Sequence, residues 1–400
     1  MVENVRRART ARALQNDRRI LDAAVSLIDE RGADSVGLRD VARASELTYG
    51  ALYARYDNVA ELLVDLWSCR LGGEIERLIT LAASAARSGW LDGDDLRWVT
   101  EPGPELRAAM HLCMVTSRID ELGDVVPGQL QAWFEAAGAF DEPGGDPILL
   151  GLASLLFGAV VVAPVHSDGS EPVSNAVRWV RTGSGGASPA GPPPEPARSG
   201  PYVLGVADEA HGALLHAAVD VVSRSGLQGA TLKRIGRVAG CSPSTAYHVF
   251  ETRDALLLDM VTRCVWHSRG PNSLSVGASA IDAAAIMAGA TRPEAARFRR
   301  LTLEFLLAAH HDDRLASVVD HADSAALAQS AVAISPDPSL RQGASVVLQA
   351  SRDVAVGLSL ISDLVDLQGI DWRAFATAFV DGLVSAHAEE VAASEVLPAT

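Results

Sequence analysis

The sequence lacks the features that mark several large classes of protein. Its four cysteines lie far apart and no two are spaced as CxxC, which argues against a disulfide framework or a zinc knuckle and favours a reducing compartment. The N-terminus has no apolar stretch of the kind found in a secretory signal peptide. Neither a nucleophile elbow, nor a paired Ser-His-Asp set, nor a glycine-rich phosphate loop is present. We therefore expect a cytoplasmic protein that is not an enzyme and holds no metal or cofactor.

An excess of positive charge is also absent. The 400 residues carry a formal net charge of −16, which excludes a chain that is basic throughout. A local basic patch is still allowed, because nucleic-acid binding follows the local field rather than the total charge. The first nineteen residues contain six arginines against Glu3 and Asp17. Such a basic arm resembles extensions that enter a narrow minor groove, and a solvated, disordered tail is the alternative.

Charge is missing altogether from residues 147–165, a run close in length to a membrane span. The corresponding region of the second half, residues 343–365, carries Arg352 and Asp353 near its middle. A membrane-spanning helix rarely tolerates such a pair. We therefore interpret both segments as buried helices of a helical bundle, and we expect no membrane contact.

The two halves of the chain repeat each other. Residues 20–63 match residues 214–257 without a gap, so that Tyr53 corresponds to Tyr247 at an offset of 194. A second match, at an offset of 193, relates residues 120–126 to 313–319. Between the halves, residues 183–201 are almost all Gly, Pro, Ala and Ser, a composition typical of a semi-stiff linker. The sequence predicts two tandem copies of one domain.

Each copy begins with the pattern of a small helical head. Apolar residues recur at helical spacing in a first helix, and Gly32 and Gly226 stand where such a helix ends in a left-handed residue. Short second helices are predicted at 38–43 and 232–238. Residues suited to N-caps then precede the later helices, namely Thr231, Thr48, Ser242, Asn58 and Thr252. We expect Tyr56 and Phe250 to fill the core of the heads.

Two short helices joined by a tight turn form a helix-turn-helix, whose second helix can enter the major groove of DNA. Small and hydroxyl-bearing residues on that helix let the backbone approach the duplex, and a phenol one turn further on can reach a phosphate oxygen. The predicted DNA-binding residues are Arg6, Arg7, Arg9, Arg39, Thr48, Tyr49, Gly50, Tyr53 and Arg55 in copy one, with Lys233, Ser242, Pro243, Ser244, Thr245, Tyr247, His248 and Arg253 in copy two.

This pattern resembles the DNA-binding head of TetR-family transcriptional regulators over about 45 residues of each copy. The family usually has Gly in the turn and Lys at the start of the fourth helix. Copy two keeps Gly240 and has Arg253, whereas copy one has Glu46 and Val59, which indicates weaker binding by its head. The resemblance implies an all-α fold with helical C-terminal domains that hold a small-molecule pocket and dimerise through their last two helices.

The predicted architecture is therefore a pseudo-dimer made within one chain, joined through the 147–165 and 343–365 helices. Its domains are a basic N-terminal arm (1–19), a first helix-turn-helix head (20–66), a first helical regulatory domain (67–182), the linker (183–201), a second head (202–260) and a second regulatory domain (261–390). Candidate residues of an apolar effector pocket are Trp67, Met110, Met114, Trp133, Met260, Trp266 and Phe305.

The resemblance implies a sequence-specific DNA-binding regulator, most often a repressor, that an unknown small molecule releases. Because the groove-facing residues differ between the heads, we expect two unlike half-sites in double-stranded DNA. Self-association beyond the pseudo-dimer is left open. The alternatives are an interaction protein that keeps the fold but has lost DNA binding in one or both heads, and a ligand-binding or catalytic module.

Overall fold

The structure is a computed structural model, and it describes residues 2–142, 144–165, 170–183, 208–268, 280–334 and 341–381. Every regular element within these ranges is helical, which confirms the all-α prediction. The predicted linker, apart from Gly183, lies outside the described residues. Copy one contains α1 (Val2–Arg31), α2 (Leu38–Ala44), α3 (Tyr49–Tyr53), α4 (Val59–Leu66), α5 (Gly72–Ser88), α6 (Gly93–Thr100), α7 (Pro104–Val115), α8 (Asp120–Gly123), α9 (Val126–Ala136), α10 (Pro147–Val162) and α11 (Ser170–Gly183).

Copy two repeats the order of the head helices and continues into further helices over the described ranges. Its helices are α12 (Glu209–Gly229), α13 (Leu232–Val238), α14 (Pro243–Val249), α15 (Arg253–Ser268), α16 (Ala280–Ala290), α17 (Ala296–Ala308), α18 (Asp313–Ile334), α19 (Arg341–Ile361) and α20 (Trp372–Ala376). Most of the buried apolar residues of both copies belong to one continuous cluster, and a small second cluster of Leu327, Ala331 and Leu348 lies in copy two. The two copies therefore share a core rather than hanging separately from the linker.

A glycine in a backbone conformation that only glycine adopts easily follows the end of α1 in head one and interrupts α12 near its end in head two. Gly32 has φ 77° and ψ 155°, and Gly226 has φ 68° and ψ 172°. The positive φ angles agree with the prediction, but the ψ angles lie far from the left-handed helical region. Residues with a Cβ are almost excluded from this conformation. Both glycines therefore bend the chain more sharply than a left-handed helix end would.

The heads pack around the aromatic residues expected in their cores. Tyr56 is 6% exposed and Phe250 is 5% exposed. The backbone runs without a break from each head into its regulatory domain, because a π-helical turn at Trp67–Leu71 joins α4 to α5 and because α15 continues to Ser268. The predicted boundaries at 66–67 and 260–261 thus fall inside continuous helices. The backbone of the predicted arm is helical as well, since α1 begins at Val2.

Helices α10 and α19 pack against each other and form the seam between the copies. A Cβ on Gly158 would lie 1.7 Å from the Asp353 carbonyl oxygen, and a Cβ on Gly357 would lie 1.9 Å from that of Ser154. Each helix therefore places a glycine against the backbone of the other, four residues before the partner's glycine. Such reciprocity is what a two-fold interface requires.

The uncharged run Pro147–Val165 is long and apolar enough to cross a membrane, but 83% of its most apolar stretch is buried inside the protein. Its neighbour α19 contains the charged pair noted in the sequence. Arg352 is bound by the carboxylates of Asp323 and Asp353 at 2.7 and 2.6 Å. Both segments therefore serve as core helices, as expected, and the buried charges in α19 are paired.

Candidate nucleic-acid interface

Side chains at the start of each third helix make the predicted caps. Thr48 Oγ1 accepts a hydrogen bond from the Ala51 N–H at 3.2 Å, and Ser242 Oγ accepts one from the Thr245 N–H at 3.1 Å. Pro243 occupies the first turn of α14, where a missing N–H costs nothing. These local bonds fix where α3 and α14 begin after their turns.

Head one presents a cluster of two tyrosines and an arginine. The rings of Tyr49 and Tyr53 meet edge to face with their centroids 4.3 Å apart, and the Arg39 guanidinium lies 5.3 Å from the Tyr49 centroid. Tyr49 is 38% exposed and Tyr53 is 44% exposed. A hydrogen bond with Tyr49 raises the pKa of the Tyr53 phenol above its ordinary value.

The turn of head one carries the departure noted in the sequence. Glu46 has φ 55°, the only positive value at a residue other than glycine among the described residues. Its exposed carboxylate accepts a hydrogen bond from Arg19 at 2.8 Å, which offsets its negative charge beside the predicted DNA surface. Arg55 forms an ion pair with Asp17 of α1. Two cations that could meet phosphate are therefore engaged within the head.

Head two presents a group of hydroxyls at the start of its third helix, with Pro243 at the position of Tyr49. Ser242 Oγ lies 2.8 Å from both Ser244 Oγ and Thr245 Oγ1. One turn later, Tyr247 is 55% exposed. Lys233 on α13 and His248 on α14 are also exposed. The third helices of the two heads thus differ in chemistry as well as in sequence.

Arg253 faces inward, away from the surface that the sequence suggested. Its guanidinium donates to the carbonyl oxygens of Ala230 and Leu227 at 2.8 and 2.5 Å, and it lies 3.4 Å from Asp254. These contacts tie the start of α15 to the end of α12. A contact between Arg253 and phosphate stays a prediction, while the contacts observed are structural.

The remaining predicted residues divide by location. Gly50 is exposed, and a Cβ there would meet nothing within 4 Å. The backbone of Arg6, Arg7 and Arg9 belongs to α1, and their side chains lie outside the described residues. A contact of these three arginines with the minor groove therefore stays a prediction.

A cavity of about 200 Å³ lies between the two copies. Residues of head one, head two and both regulatory domains line it, among them Ala33, Leu227, Met114 and Phe305. Two of the predicted pocket residues, Met114 and Phe305, are therefore placed together. Trp67, Met110 and Met260 are fully buried and are not among its lining residues. As pocket residues these three stay predictions.

The other two tryptophans proposed for the pocket are placed differently. Trp133 packs beside Trp67 with ring centroids 6.2 Å apart, and Trp67 Nε1 donates to Gln129 at 2.7 Å. These contacts account for both indoles as packing within copy one. The side chain of Trp266 lies outside the described residues.

An ion pair that crosses between the copies adjoins this cavity. Arg118 of copy one contacts Glu304 of copy two and donates to Asp34 of head one at 2.6 Å. Glu304 also accepts a hydrogen bond from the Leu227 N–H of head two at 3.3 Å. Burial raises the pKa of Glu304 to about 7 against the opposing effect of Arg118, and the charge of Asp34 adds to the rise. Burial also raises the pKa of Asp34, again against Arg118.

Sequence reasoning missed Arg118 and Glu304. The signal that could have found them is the offset of 193 that relates residues 120–126 to 313–319. Extended backwards, this offset pairs Arg118 with His311 and His111 with Glu304. Two of these positions are charged and all four are polar, and the structure places them in contact between the copies.

Comparison with known proteins agrees with this structure. The sequence profile of the family described as "Bacterial regulatory proteins, tetR family" matches residues 20–66 and again residues 214–260. A stretch of 57 residues, 14% of the chain, is 40% identical to the HTH-type transcriptional regulator AqdR of Rhodococcus erythropolis. That stretch covers 28% of AqdR, so the similarity has the extent of one head.

Proposed function

Because the chain belongs to the TetR family and carries two tandem copies of its N-terminal domain, we propose that it is a cytoplasmic, sequence-specific DNA-binding regulator of transcription. The observation that carries this proposal is the exposure of the third helix in both heads of one molecule. Tyr53 and Tyr247 both remain exposed among the described residues. An exposed tyrosine on a capped helix is suited to donate to a phosphate oxygen.

The two heads would read DNA as a pair. A symmetric dimer of this kind places two recognition helices in successive major grooves, one helical turn apart. The α10–α19 seam supplies the two-fold relation here without a second chain. Head one offers Arg39 with two tyrosines, and head two offers hydroxyl groups with Lys233. We therefore propose an operator whose two half-sites differ in sequence.

Regulation would pass through the cavity between the copies. Both heads contribute to its wall, through Ala33 on one side and Leu227 on the other. A small molecule bound there would change the position of one head relative to the other and so the fit to a fixed half-site spacing. We propose that the protein is a repressor which such an effector releases from DNA.

Binding to DNA from upstream of the protein's own gene tests the proposal, measured by fluorescence anisotropy at low salt. We expect the anisotropy of the labelled DNA to rise on binding and this rise to disappear at high salt, because phosphate contacts release counterions. Tyr53→Phe and Tyr247→Phe should each weaken binding by about tenfold, the usual cost of a lost hydrogen bond to a charged group. Tyr56→Phe is the control, since that phenol bonds Asp65 inside the head. A folded protein that binds no DNA at low salt would refute the proposal.

One observation favours a second function. Glu46 and Val59 replace the residues that the family uses in the turn and at the start of the fourth helix, and both are in head one. Head one could then serve protein interaction while head two alone binds DNA. In that case Tyr53→Phe would leave DNA affinity unchanged while Tyr247→Phe lowered it, so the same pair of variants separates the two functions.

A further inference from the structure

Because the two copies repeat each other, one contact between the copies occurs at two equivalent places, and different residues form it at each place. The offset of 193 makes Glu304 the counterpart of His111, and His311 the counterpart of Arg118. On one side of the seam Arg118 and Glu304 form an ion pair. On the other side the rings of His111 and His311 lie 5.7 Å apart. One side therefore has a cation with its anion, while the other has two bases and no acid.

The side chain of His111 is buried without a hydrogen bond among the described residues. It is 3% exposed, it lines the cavity between the copies, and neither of its ring nitrogens has a hydrogen-bond partner among the described residues. Burial lowers the pKa of His111 well below its ordinary value, and burial also lowers the pKa of His311. A buried imidazole without a partner is costly unless something bonds to it.

The nearby carboxylates cannot supply that partner, because each is engaged elsewhere. Asp29 accepts two hydrogen bonds from Arg107, at 2.6 and 2.8 Å. Asp312 accepts from the Arg314 and Leu315 N–H groups at 3.1 and 3.0 Å. The other charged or titratable groups that act on the two imidazoles or line the same cavity are His310, Arg31, Asp34, Arg253, Asp254, Glu304 and Arg314.

We propose that the His111–His311 side of this cavity binds a small organic anion, the carboxylate of an acid with about one aromatic ring. The carboxylate of the ligand would accept hydrogen bonds from the imidazoles, just as the carboxylate of Glu304 contacts the guanidinium of Arg118 at the equivalent place. The apolar walls formed by Met114, Leu257 and Phe305 would contact the ring. The cavity of about 200 Å³ suits this size, since a cavity of about 150 Å³ accommodates benzene.

Arginines near the opening favour an anion over a cation. Arg31 and Arg314 line the cavity and are exposed, so they can attract a carboxylate towards the imidazoles. Asp34, which also lines it, is held by Arg118, and Asp254 lies next to Arg253. On the His111–His311 side, Asp29 is paired with Arg107, whereas the exposed Asp312 lines the cavity, so an entering acid depends on Arg31 and Arg314 to outweigh that one carboxylate.

The site touches the bend of head one. A Cβ on Gly32 would lie 3.6 Å from Cε1 of both His111 and His311, so the end of α1 rests on the two rings. A ligand that draws the imidazoles together or apart would move this bend and the head beyond it. This regulatory consequence rests on the proposed function, whereas the binding site itself does not.

The test uses the full chain and titration calorimetry with benzoate and phenylacetate, each compared with its neutral amide. We expect one anion per chain, with at least about tenfold preference over the amide, since charge-assisted hydrogen bonds are the stronger ones. His111→Leu should remove that preference. His321→Leu, at an exposed position of α18, should leave it intact. Circular dichroism shows whether the variants are folded, and His311→Leu replaces His111→Leu if the latter is not.

Affinity for benzoate should rise as the pH falls from about 8 to about 6, because the bound carboxylate favours imidazolium and binding takes up a proton. The amide should show no such trend. If neither acid binds better than its amide at millimolar concentration, or if His111→Leu and His311→Leu bind as the parent does, the site does not exist. These measurements need no DNA, so failure of the DNA-binding proposal leaves their outcome readable.

Discussion

At the scale of single residues, Glu46 and Gly240 occupy equivalent places in the turns of the two heads. Their φ angles are 55° and 69°, so both turns need a left-handed residue. Glycine adopts that conformation freely, whereas a residue with a Cβ pays about 1 kcal/mol. The sequence predicted this strain because glycine is the residue expected at that point of the turn, and the structure confirms it.

Exchanging residues at these two positions measures the strain. We expect Glu46→Gly to unfold at a higher denaturant concentration than Glu46→Gln, with a difference in free energy of about 1 kcal/mol. Glu46→Gln is the matched reference, because it also loses the ion pair with Arg19 but keeps the Cβ. Gly240→Glu should lower stability by a similar amount, since a Cβ there meets no atom within 4 Å. Equal stability of Glu46→Gly and Glu46→Gln would show that the turn is unstrained.

Glu304 makes the free energy of unfolding of the protein depend on pH. Its pKa rises from 4.5 to about 7 in the folded protein, so the fold binds a proton more tightly than the unfolded chain does. The stability that this proton contributes is fully present below about pH 4.5 and is lost as the pH rises through about 7. Relative to Glu304→Gln, the parent should lose on the order of 2 kcal/mol over this window.

Denaturant unfolding of the parent and of Glu304→Gln across this pH window provides the measurement. The free energy of unfolding of the parent minus that of Glu304→Gln should fall as Glu304 ionises. Most other titrating groups are common to both proteins and therefore cancel in this difference. A difference that stays constant from about pH 4.5 to about pH 7 would mean that Arg118 fully compensates the buried charge.

At the scale of helices, the capping hydrogen bonds could be predicted from local sequence, whereas contacts between distant helices could not. Thr231 accepts from the Arg234 N–H at 3.2 Å, Asn58 from the Glu61 N–H at 2.9 Å and Thr252 from the Ala255 N–H at 3.1 Å, all as predicted. Such bonds join residues three apart, so a short stretch of sequence contains both partners. The roles of Arg253 and Arg118 could not be read in this way, because their partners lie far along the chain.

Pocket residues were the least predictable part of the site. Trp67 and Met110 are of residue types that often line ligand pockets, yet both are buried in the core. The sequence could not separate these two roles, because the same residue types fill cores and line cavities. The cavity lies between the copies, and its walls depend on how the seam orients them. Only the repeat itself, compared position by position, contained that information.

The crossing of α10 and α19 gives a test at the scale of two helices. Gly158→Ala should destabilise the protein by about 3 kcal/mol, because its Cβ would overlap the Asp353 carbonyl oxygen and the helices would have to separate. Gly128→Ala in α9 is the control, since a Cβ there meets nothing within 4 Å. That change should instead stabilise by up to about 1 kcal/mol, the propensity gain of alanine. Thermal unfolding of both variants checks the prediction, and a Gly158→Ala protein as stable as the parent would contradict the crossing.

At the scale of the whole molecule, the chain resembles a dimer whose two subunits have diverged. Sharing one core across α10 and α19 occupies the surfaces that a single copy would use to pair with another. Because one chain contains both copies, equivalent positions on the two sides of the axis can carry different residues. Arg118–Glu304 on one side and His111–His311 on the other are an example. A two-fold dimer of identical chains could not place different residues at equivalent sites.

The molar mass in solution, alone and on DNA, tests most directly whether one chain acts as its own dimer. Light scattering after size exclusion should give the mass of a single 42.0 kDa chain, and the complex with the preferred duplex should contain one chain per duplex. That duplex, selected from random sequence, should have unlike half-sites. Two chains bound to one palindromic duplex would contradict the account.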